Sequence, residues 1–66
     1  MTIGANIKRL RSAKNITQEK LSVAMNVTCA AVSKWERGET YPDITLLQPL
    51  AYFFEVTLDE LMGYDQ

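Results

Sequence analysis

Residues that stop and start helices recur so closely along this 66-residue chain that no helix can run much beyond three turns. The first helix spans about Ile3 to Ala13, with Ile3, Ile7 and Leu10, and more weakly Ala13 and the stem of Lys14, along one face. "KNIT" breaks it. Asn15 suits the left-handed position after a helix end, and Thr17 can cap the next helix, with Gln18 and Glu19 in its first turn. There the positive end of the helix dipole favours Glu19. The second helix directs Leu21, Ala24 and Met25 inward and ends at Asn26. Val27 is a one-residue apolar connector, and Thr28 caps a third helix that Gly38 closes. In "GETYPD", Pro42 disfavours helix at Tyr41. Asp43 then caps a fourth helix with Ile44, Leu47, Leu50, Ala51 and Phe54 on its buried arc. Pro49 removes the amide that would bond the Thr45 carbonyl and is expected to kink that helix. Thr57 and Glu60 stand at capping-box spacing before "LDELM", which Gly63 closes. No run alternates like a half-buried strand. The expected fold is all-α, a compact bundle of five short helices.

Length and composition narrow the function. Sixty-six residues make one domain, near the lower limit for folding without staples. One cysteine, Cys29, excludes an intrachain disulfide and a thiolate cluster. With no histidine, the usual general base and the commonest nitrogen metal ligand are both missing. No metal, cofactor or catalytic centre is expected. Nothing approaches the roughly 20 apolar residues of a membrane span, so the reading is a soluble, cytoplasmic protein.

The net charge is −1, yet it is divided sharply. Residues 1–37 carry all seven bases against Glu19 and Glu36, a net of +5; residues 38–66 carry six acids and no base, a net of −6. Such a split can draw an anion to one half of a nearly neutral molecule. Wrapped at 100° per residue, the third helix also divides. Ala31, Val32, Trp35 and the stem of Glu36 fall on one side, which reads as core. Cys29, Ala30, Ser33, Lys34 and Arg37 fall on the other and are on offer.

The ordered combination of "IKRLRSAKNITQEKLS", "NVTCAAVSKWERGETYPD" and "LAYFFEVTLDELMG" resembles the Cro/repressor, or xenobiotic-response-element, family of phage and bacterial regulators. The likeness covers essentially the whole chain. It implies a lambda-repressor-like domain of five helices, with a helix-turn-helix at helices two and three and a recognition helix at about 28–37 in the DNA major groove. By the same likeness, Gln18, Thr28 and Arg37 match positions that contact the DNA backbone. Arg11 and Glu36 match a partly buried ion pair, and Cys29, Ala30 and Lys34, with Ser33 beside them, match base-contacting positions. Read from the residues, Lys20 joins the backbone set, and only Lys34 is a strong reader, able to donate to guanine O6 or N7. Cys29 and Ala30 offer little beyond apolar contact with a thymine methyl, so shape and deformability should carry much of the specificity.

Other features have plainer readings. Trp35 belongs to the core, Cys29 is a small filler, and Asp59 and Glu60 are first-turn acids rather than a catalytic pair. Leu46 and Phe53 widen the apolar arc of the fourth helix, and with Leu58 and Met62 they are candidates for a dimer surface. The expectation is a double-stranded DNA-binding transcriptional regulator, a repressor acting as a homodimer, with residues 1–66 as one domain at the N-terminus of a longer regulator. The alternative is a protein-interaction module that kept the fold and lost DNA binding.

Overall fold

The computed structural model describes residues 2–63. Five helices follow in order: α1 (Ile3–Ala13), α2 (Gln18–Met25), α3 (Cys29–Glu36), α4 (Ile44–Phe54) and α5 (Leu58–Met62). Among the described residues there is no strand. The bundle is all-α with five short helices, in agreement with the class expected from the sequence.

Each helix begins at a capping side chain. Thr17, Thr28 and Thr57 accept the amides of Lys20, Ala31 and Glu60, and Asp43 accepts that of Thr45. Thr2 caps α1 by accepting the Ala5 amide at 3.2 Å. At α5 the capping box is complete, because the Glu60 carboxylate accepts the Thr57 amide at 2.8 Å.

The ends use one joint repeatedly. Asn15, Asn26 and Glu55 each adopt positive φ, of 57°, 59° and 59°. The next residue, Ile16, Val27 or Val56, then donates its amide to the carbonyl five residues back, at 2.9–3.0 Å. This is a Schellman ending, whose apolar residue folds back against the helix. Ile16, Val27 and Val56 all pack against the core. A capping threonine follows each time, so three residues stop one helix and start the next.

The core holds Ile3, Ile7, Leu21, Met25, Val32, Trp35, Leu50, Ala51, Phe54 and Leu61. Two inward assignments are corrected. Ala24 is exposed, because the buried arc of α2 runs through Leu21, Ser22 and Met25. Ser22 is tolerated there since its hydroxyl donates to the Glu19 carbonyl at 2.6 Å. Ile44 is 79 % exposed, because the first turn of α4 projects past the edge of the core and only Leu50, Ala51 and Phe54 are fully covered. Ala13 and Lys14 are also exposed. α4 continues through Pro49 over eleven residues; Thr45 and Pro49 are both exposed, so water can serve the carbonyl that proline leaves unbonded.

Two buried features of α1 fix where its neighbours lie. An added Cβ on Gly4 would stand 1.8 Å from the Trp35 carbonyl oxygen, so α1 crosses the end of α3 at backbone contact. Asn6, 1 % exposed, donates its side-chain amide to the Leu61 carbonyl at 3.1 Å and ties α1 to α5.

Gly4→Ala should therefore push α1 off α3 and lower stability by about 3 kcal/mol, read as a urea midpoint shift at unchanged slope. Glu55→Gly relieves a left-handed residue with a Cβ and should stabilise by about 0.5–1 kcal/mol in the same assay.

Candidate nucleic-acid interface

The α2 and α3 segments meet through the Asn26–Thr28 joint, which places two helix starts, at Thr17 and Thr28, on adjoining helices. Each threonine hydroxyl satisfies the third amide of its helix. The amides of Gln18 and Glu19, and of Cys29 and Ala30, have no carbonyl one turn back and point out of the helix ends. Such a start favours an anion through both its amides and its dipole.

One carboxylate holds this arrangement. Glu36, at the end of α3, has a side chain only 3 % exposed. It accepts Arg11 Nε at 2.7 Å, Arg11 Nη2 at 3.1 Å and Gln18 Nε2 at 3.0 Å. Arg11 uses its remaining nitrogen, Nη1, on the Ile16 carbonyl at 2.8 Å, inside the α1–α2 turn. The pair proposed for Arg11 and Glu36 is thus present and bidentate, with Gln18 as a third member. Burial pushes the Glu36 carboxyl up, but the hydrogen bonds from Arg11 and Gln18 and the Arg11 charge outweigh it, and the net shift is downward. The hydrogen bond to Glu36 raises the Arg11 guanidinium, against the opposing effect of burial.

Cys29, Ala30 and Lys34 are exposed along α3, as their helical phase requires. Ser33 is half-buried and its hydroxyl accepts a hydrogen bond from Arg37 Nη1. Thr28 and Lys20 are exposed, and Gln18 is half-buried with its amide nitrogen directed to Glu36. Arg37 sits just beyond α3, exposed, with Nε 2.6 Å from Glu39 Oε2. That hydrogen bond is the first cause both of a raised Arg37 and of a lowered Glu39. Glu39, to which the sequence pattern assigns no role, is thus the partner of Arg37.

The proposed dimer residues lie elsewhere. Leu46, Phe53 and Met62 are half-buried against the core, and Leu58 is 40 % exposed. Phe53 also lines an open groove with Met25, Pro49, Ala51, Tyr52, Glu55 and Val56. Tyr52, on its rim, is 87 % exposed.

The helix-turn-helix family pattern matches residues 7–61. The chain belongs to the Cro/C1-type helix-turn-helix family. Over its full length it is 39 % identical to the HTH-type transcriptional activator BcrR of Enterococcus faecalis, of which it spans 32 %. It superposes on a transcriptional regulator from Listeria innocua with a TM-score of 0.90 at 34 % identity, over 98 % of this chain and 61 % of that one. On the P22 c2 repressor, solved in complex with a synthetic operator, the TM-score is 0.89 at 31 % identity, with 98 % of both chains covered. The helix-turn-helix in this chain is α2, the Asn26–Thr28 joint and α3. No described helix is long and apolar enough to cross a membrane.

Glu36→Gln would leave Arg11 without its charged partner and should cost about 3 kcal/mol at pH 7. Because the folded-state pKa of Glu36 lies below its unfolded value of about 4.3, the wild-type advantage is present above that pH. It is lost as the pH falls through the folded pKa. Urea melts of both proteins at pH 7 and pH 3 should show the gap narrow at the lower pH.

Proposed function

We propose that this chain binds double-stranded DNA sequence-specifically as a transcriptional regulator, with α3 in the major groove. The observation that carries the reading is the Glu36 network, which holds two anion-seeking helix starts and the exposed Lys34–Arg37 edge in one fixed arrangement. Phosphate contacts set register and base contacts give specificity. Gln18, Thr28, Lys20 and Arg37 are the positioners. Lys34 is the main reader, with Ser33, Cys29 and Ala30 supplying lesser contacts.

The relatives support the same direction. The P22 c2 repressor, similar over nearly all of this chain, was solved on a synthetic operator. One relative is named an activator and another a repressor, so the sign of regulation lies outside the shared fold, and repression stays a proposal. The domain acts in the cytoplasm as a homodimer, with Leu46, Phe53, Leu58 and Met62 as the contact. Two copies would then meet half-sites about 10 base pairs apart. An interaction module that had lost DNA binding would not need the paired helix starts or the fixed basic edge.

Fluorescence anisotropy on a mixed-sequence duplex across a salt series tests the reading. About three phosphates neutralised should give a slope of log affinity against log salt near −2.7. With a selected operator, Lys34→Ala should flatten preference at one base pair, a loss of about 1–3 kcal/mol of discrimination. Equal weakening on every sequence would make Lys34 a phosphate contact. No binding at low salt, even with the domain artificially dimerised, would overturn DNA binding itself.

A further inference from the structure

The end of α3 repeats the joint used at the other helix ends, with one change of chemistry. Gly38 supplies the positive φ, 78°, and the Glu39 amide bonds the Lys34 carbonyl at 2.9 Å, five residues back. At the three sister joints the residue in the place of Glu39 is Ile16, Val27 or Val56, each packed on the core. Here it is a glutamate with a side chain 52 % exposed, its backbone pinned and its carboxylate turned back to Arg37 Nε at 2.6 Å. Arg37 Nη1 is meanwhile bonded to Ser33. Two of the three guanidinium nitrogens therefore already donate a hydrogen bond in the free domain, one of them to a carboxylate, the same kind of charged acceptor as a phosphate.

We propose that Glu39 is a built-in competitor for phosphate, occupying Arg37 in the free domain and weakening every DNA contact made through it. The inference rests on the DNA-binding reading above. An exposed ion pair is held weakly, so a phosphate can displace Glu39 rather than be shut out. The cost of breaking the Arg37–Glu39 pair is then subtracted from each contact that Arg37 makes with a phosphate. The penalty falls chiefly on backbone contact, which every sequence offers, since Glu39 is hydrogen-bonded to Arg37 and only the smaller charge attraction reaches Lys34. Glu39 thus lowers indiscriminate binding while preserving the difference between right and wrong sites.

Glu39→Gln keeps the side-chain shape and removes the charge. On a mixed-sequence duplex at about 0.1 M salt it should bind about 3–10-fold more tightly than wild type, with a salt slope steeper by about 0.9, the worth of one more effective phosphate contact. The gain should run through Arg37. In an Arg37→Gln background, adding Glu39→Gln should change affinity by less than about 1.5-fold, the mark of full coupling in a double-mutant cycle. Circular dichroism and thermal melts confirm that all four proteins are folded. Wild type that binds while Glu39→Gln binds equally or more weakly would overturn the competitor role and leave the DNA-binding reading standing. An undiminished gain in the Arg37→Gln background would overturn it too, as a general charge effect. Wild type that binds no duplex at low salt would overturn both.

Discussion

The Glu36 carboxylate is the point on which the rest of this small domain depends. Three donors converge on its two oxygens: two from Arg11 on α1 and one from Gln18 at the start of α2. Arg11 in turn holds the Ile16 carbonyl in the turn between those helices. A single buried group therefore sets α1, the first turn, α2 and α3 relative to one another. The apolar core cannot do this alone, because burial is non-directional and short helices sharing a few leucines and valines can slide. Directional bonds to a charge remove that freedom. Gly4 works with them, since backbone contact with Trp35 is possible only in one placement of α1.

That placement turns local capping into a surface. Thr17 and Thr28 would be ordinary helix starts in any fold; the network ties the start of α2, beside Thr17, to the end of α3, which Lys34 and Arg37 flank. The half of the chain carrying all seven bases is the half that builds this face, so a net charge of −1 is a poor guide to its partner. The proposed base-reading side chains are few. Affinity and specificity must then be balanced through phosphate contacts, and an acid beside Arg37 has a place in such a scheme.

Much of the fold was legible because its signals are local. Thr17, Thr28, Asp43, Thr57 and Gly38 act on residues a few positions away, so the helix limits could be read from them. The inward and outward faces of α3 followed from its period. Ala24 and Ile44 were misread because period alone does not say where the core ends or which small residue turns inward. Glu55 carries no sign of its left-handed backbone, since glutamate is not a residue chosen for it; the following Val56–Thr57 pair, parallel to Ile16–Thr17 and Val27–Thr28, was the available clue. Gly4 and Asn6 were silent because their partners, Trp35 and Leu61, are distant in the chain. At the interface, the resemblance implies only an outward role for Arg37, and the pairing with Glu39 depends on the turn at Gly38, which brings the two side chains together.

On the DNA-binding reading, the Glu36 network orients the binding face rather than merely stabilising the fold. A double variant, Arg11→Met with Glu36→Met, separates the two, because apolar residues of similar length can replace a buried ion pair without loss of stability. Its urea stability and its affinity for a mixed-sequence duplex are measured beside wild type. Stability should stay near wild type while affinity falls about tenfold, as Gln18 loses its charged anchor. Near-wild-type stability with undiminished affinity and an unchanged salt slope would contradict the orienting role.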